Sequence, residues 1–142
     1  MAFKLVGGFP ENQAVELPVT AGVAIATGDL VAINGNVVER ATSSSTIHTI
    51  VGVAAETIST AATVLKVIPV CQGQLWEASC NANTHASNQT LETYALTDHA
   101  NIANDSTDVP GATGVFTLLK PIGAVGDKRA LGEFTRSQST ST

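Results

Sequence analysis

Charged side chains are scarce in this sequence. They make up 13% of its 142 residues, about half the usual share. That excludes a charged coiled coil, and it excludes a solvated polyelectrolyte tail as the body of the chain. The seven Lys and Arg are scattered and the net charge is −5, so no basic patch stands ready to neutralise a nucleic-acid backbone. No apolar run reaches the ~20 residues that a membrane-spanning helix requires. The opening MAFKLVGG lacks the apolar core of a secretion signal. We therefore expect synthesis in the cytoplasm, with neither a membrane nor a nucleic acid as partner.

Chemistry-bearing residues are equally sparse. The three His stand at 48, 85 and 99, with no i, i+4 spacing between them. No Gly-x-Ser-x-Gly elbow, phosphate-binding loop, dinucleotide fingerprint or His-Glu-x-x-His motif occurs. The expectation is no catalytic residue, no cofactor and no metal. Asp98, Asp105 and Asp108 gather with Asn101 and Asn104, but the spacing matches no calcium loop. They read as an acidic loop whose side chains bond their own backbone. The two Cys are Cys71 and Cys80. A turn at 72–74 would put them about 17 Å apart along a hairpin, beyond the ~7 Å that a disulfide spans. Two reduced, buried thiols are expected. Trp76 and Tyr94 are the residues on which a sugar would stack, although a single Trp in a small β-domain is more often core.

Small and β-branched residues are what the chain has in quantity: 20 Ala, 15 Val, 28 Ser plus Thr and 12 Gly. That mixture favours strands and tight turns. Asn34-Gly35 separates two β-rich runs and predicts a type I′ hairpin with Val31 opposite Val38 and Leu30 opposite Glu39. Alternation predicts strands over 14–20, 47–55, 64–70, 75–80, 115–122 and 130–135. Pro18 places the first of these at a sheet edge or a bulge. Trp76, Ala78 and Cys80 should share one face, and so should Ile47, Thr49, Val51 and Val53. Residues 90–100 fit either a short helix or a strand, and 101–114 form a long polar loop. The fold class is all-β: a single small β-barrel or sandwich of about seven to eight short strands over residues 14–135. An extended N-terminal arm (1–13) precedes it, and a polar tail (136–142) follows.

The stretches GVAIATGDLVAINGNVVERAT and IVGVAAETISTAATVLKVIPVCQGQLWEA resemble the small β-barrel capsid decoration (cement) proteins of tailed bacteriophages. Gly28-Asp29-Leu30-Val31 matches that family's Gly-Asp-x-Val step. Ile50-Val51-Gly52-Val53-Ala54 matches its Ile-Gly-Val-Ala strand. Residues 59–67 match its Ser/Thr/Ala turn into a valine-rich strand, and 116–135 its closing strand pair. The likeness covers residues 18–80 and 115–135, and 81–114 has no counterpart in it. The resemblance implies a structural virion protein, made in the host cytoplasm and placed on the capsid exterior. It would act as a homo-oligomer, trimer or dimer, with the phage major capsid protein as partner, and would clamp neighbouring capsid subunits. The apolar, turn-free start of the chain makes Phe3, Lys4, Leu5 and Val6 the expected partner contacts, free to add a strand to a neighbour's sheet. Deleting residues 1–8 should then leave the fold intact. The alternatives are a phage tail or fibre component, or a host β-barrel module that binds a sugar or small ligand.

Overall fold

The structure, a computed structural model, describes residues 2–7, 14–71, 73–85, 91–104 and 114–134. Residues 8–13 of the expected arm, 105–113 of the expected long loop and the 136–142 tail lie outside that set. The described residues form ten strands: β1 (Phe3–Gly7), β2 (Val15–Pro18), β3 (Leu30–Asn34), β4 (Val37–Arg40), β5 (Ile50–Ala54), β6 (Val64–Pro69), β7 (Leu75–Ser79), β8 (Thr93–Tyr94), β9 (Phe116–Ile122) and β10 (Arg129–Phe134). They make two antiparallel sheets in the orders β1-β7-β10-β9-β8 and β2-β6-β5-β3-β4. The all-β expectation holds, and of its two architectures the chain adopts the sandwich.

The second sheet curls back on itself. Just past β2, Val19 bridges to Val38 of β4, and the Thr20 N–H donates to the Val38 carbonyl at 2.9 Å. A single bridge does not close a barrel. The curl nevertheless gives this sheet a core of its own. Val31, Val38, Ala54, Leu65 and Val67 on one face pack with Val19, Ile25 and Ile58 from the loops that cross it. The other face meets the first sheet over the main core, with Phe3, Leu30, Val53, Trp76, Ala78, Phe116, Leu118 and Phe134. Phe134 is the hub of the aromatic contacts, its ring centroid 5.4 Å from Phe3, 5.7 Å from Trp76 and 5.2 Å from Phe116. A sheet buried on both faces explains the near-continuous apolar runs of β3 and β5.

Two glycines are fixed by close packing. A Cβ on Gly52 would lie 2.2 Å from the Ile68 carbonyl oxygen, and one on Gly132 would lie 2.2 Å from that of Thr117.

Three local expectations are corrected, and one open alternative is settled. The β3–β4 hairpin pairs Asn34 with Val37 and Val31 with Arg40. Its loop is therefore Gly35-Asn36. Gly35 takes φ +64 while Asn36 is not left-handed, which is the type II′ pattern with glycine first. Asn34 stays in the strand, and its side-chain amide donates to Glu39 at 3.1 Å. In β5 the register slips opposite Val31 and Ala32, so Val51 packs into the second core and Val53 into the main one. A bulge of that kind breaks simple alternation. The region around residue 93 holds the two-residue strand β8, with no helix among its described residues. Finally, Cys71 is exposed, and only Cys80 is a buried thiol.

Candidate docking edge

The expected arm residues turn out to be built into the sandwich. β1 lies antiparallel against β7, with Phe3 opposite Ala78, Lys4 opposite Glu77 and Leu5 opposite Trp76. Phe3 is fully buried, so it cannot serve as a partner contact while β1 is docked. Leu5 is half-buried against the main core. Lys4 and Val6 are exposed, Val6 at 52%. The structure thus keeps the segment extended, as expected, but anchors it on its own β7. Deletion of residues 1–8 would empty a core position, contrary to the expectation of an intact fold.

Backbone geometry makes β1 a directional edge. The Ser79 N–H donates to the Ala2 carbonyl at 3.1 Å, while the Phe3 N–H turns the other way, to the Gly28 carbonyl at 3.1 Å. Alternation along an antiparallel ladder then points the N–H and C=O of Leu5 away from β7 as well. No strand occupies that outer side among the described residues. A row of outward backbone groups is a template for an added strand. Lys4 is the kind of charge that discourages indiscriminate pairing there.

Beside this edge a cleft of about 340 Å³ opens between the sheets. Its walls are Phe3 and Leu5 from β1, Val53 and Ala54 from β5, Ile68 from β6 and Trp76 from β7. The lining is mostly apolar. The sequence could not show it, because its walls come from four strands and the β1–β7 contact joins residues about 70 apart in the chain. Trp76 is completely buried at the floor, and its indole N–H donates to Gln74 at 3.3 Å. It presents no open ring face for a sugar, and Tyr94 is buried likewise.

The family-like motifs prove to be turn and packing devices. The Asp29 carboxylate accepts from the Ala26 N–H at 3.0 Å, closing the turn that carries Gly28 at φ +96. The Gly28 N–H donates to the Ala54 carbonyl, and the Ala54 N–H to the Asp29 carbonyl. This ties the Gly-Asp step to the Ile-Gly-Val-Ala strand. His99 approaches the same carboxylate, Nε2 to Oδ2 at 3.9 Å, too long for a hydrogen bond. Next to it runs an open groove of about 410 Å³, with Glu39, Arg40, Thr42, Asp98 and His99 in its walls.

Asp98 and Asn104 hold loops in place. Asp98 Oδ1 accepts from the backbone N–H groups of Ala100 and Asn101, the self-bonding loop expected from sequence. Asp105 and Asp108 lie outside the described residues. Asn104 is buried. It accepts from the Ala82 N–H and donates to the Ala82 and Asn83 carbonyls, binding one loop to another. His48, His85 and His99 stand on three separate loops, and among the described residues no three His, Cys, Asp or Glu side chains gather to hold a metal. Burial pushes the Cys80 thiol up to about 12, with the Arg129 charge acting weakly the other way. It is a packed, protonated core group. No protein-family model matches the chain, and no curated protein matches it significantly.

Proposed function

We propose that this chain is a structural virion protein that binds the outer surface of a tailed-phage capsid. It stabilises the shell by clamping neighbouring major capsid subunits. The reading is supported by the motifs of residues 18–80 and 115–135. The single observation that carries it is the β1 edge, with the Leu5 backbone turned outward beside an apolar cleft. An extended capsid segment would continue the first sheet there by main-chain hydrogen bonds and set an apolar side chain into the cleft. Each such contact is modest. Repeated over a lattice, and doubled or tripled by homo-oligomerisation, the contacts add as avidity. No catalytic group is needed for this work.

The test is Leu5→Pro. Proline at this position removes the outward N–H and part of the Leu5 packing but keeps the inward ladder of Lys4, because edge strands accept proline where the N–H faces away; Leu5→Ala, which loses that packing and keeps the N–H, is the control. Co-sedimentation of the purified protein with expanded, undecorated capsids should show at least a tenfold lower affinity than Leu5→Ala, with the two variants sharing a similar thermal midpoint. Undiminished binding by the variant would remove the β1 edge from the mechanism.

A further inference from the structure

We infer that β1 is an exchangeable strand: in closely packed copies of this chain it leaves its own β7 and docks on the β7 edge of a second copy. The argument is topological and does not depend on the capsid reading. All strands of the second sheet come from residues 15–69, and the rest of the first sheet from residues 75–134. Each block is contiguous in sequence and can pair within itself. β1 is the exception. It belongs to the first sheet but is followed in sequence by β2 of the second, and its partner lies about 70 residues away. Contacts so distant in sequence form late, after the local ones. β7 pairs with β10 on its other side, so the edge that receives β1 can be built without it.

What holds β1 is portable. It consists of the β7 register, the Phe3 N–H bond to Gly28 and the burial of Phe3 and Leu5. Among the described residues its strand pairing is with β7 alone, and its outer flank opens on the cleft. The register slips between Leu5 and Gly7, so the ladder ends weakly on the side toward the rest of the chain. A second copy offers every one of these contacts unchanged, which is the condition for strand exchange. Six residues, GFPENQ at 8–13, join β1 to the residue before β2. A tether this short keeps the molecule's own β1 at an effective concentration of order mM. Exchange must then take over only when copies reach a similar local concentration.

Single variants Lys4→Cys and Glu77→Cys, each with Cys71→Ser, test this. The two residues face each other across the ladder, at the ~5 Å spacing a disulfide accepts. Equal amounts are unfolded, mixed, refolded at about 1 mM or about 1 μM, and oxidised. A reducible dimer joining one variant to the other should form at the high concentration and be scarce at the low one. The chain carrying both substitutions should close its bridge internally when dilute. Mixed variants that stay monomeric at the high concentration would overturn exchange. The unmodified chain gives a reading free of substitutions. Dimer refolded at high concentration should persist for hours after dilution, because separation requires stripping β1. No dimer, or one that dissociates at once, would equally contradict the proposal.

Discussion

Phe3 shows how much one side chain can decide. It is fully buried and stacks at 5.4 Å on Phe134, the residue that also meets Trp76 and Phe116. Phe3→Ala should cost about 3–5 kcal/mol. Trp76 lines the cleft below it and is the sole Trp, so urea unfolding followed by its emission reads both the loss and any wetting of the cleft. A midpoint unchanged from the parent would mean that Phe3 is not core. Backbone conformation makes two opposite predictions. Gly52→Ala drives a Cβ into the Ile68 carbonyl oxygen and should destabilise by at least about 1–3 kcal/mol. Leu91 adopts φ +70 and is 69% exposed; Leu91→Gly relieves the left-handed strain and should stabilise by about 1 kcal/mol. Calorimetric midpoints of the two variants should therefore move in opposite directions.

Among the elements, the loops that flank β7 and β8 depend on Asn104. Its side chain serves the Ala82 N–H and two carbonyls. Asn104→Ala removes the partner of part-buried backbone groups on Ala82 and Asn83 and should cost about 1–2 kcal/mol. Hydrogen exchange should locate that loss at residues 81–85 rather than across the sandwich. What sequence could tell of these elements followed the range of the interaction. Local devices were legible: Pro18 at a sheet edge, the face shared by Trp76, Ala78 and Cys80, the Asp98 turn, and the strands at β6, β7, β9 and β10. Pairing geometry was not. The hairpin shifted because Gly35 and not Asn34 supplies the positive φ, and the β5 face changed at a bulge beside Gly52, a residue that permits a bulge without fixing which neighbour it displaces. The docking of β1 and the cleft beside it escaped for the same reason: both are made by pairing between residues about 70 positions apart.

For the whole molecule, alkaline titration gives a signed prediction. Burial raises the Cys80 thiol from 9.0 to about 12. It also raises the Tyr94 hydroxyl, with the Glu92 charge and then Cys80 adding to the shift. A group whose folded pKa lies above its unfolded value stabilises fully below the unfolded value and loses that contribution as pH rises through the folded one. Stability should therefore be flat in these groups up to about pH 9 and fall between there and about pH 12. Cys80→Ala should flatten the first part of that fall. Iodoacetamide at pH 8 should label exposed Cys71 and spare Cys80 in the native protein.

The central claim is that many copies of this chain coat a shell. Quantitative mass spectrometry of purified virions, counting this chain against the major capsid protein, tests it most directly. The account expects a ratio within a fewfold of one, as a lattice of equivalent β1 edges requires. A trace amount, fitting a tail or fibre, or complete absence from the particle would contradict it.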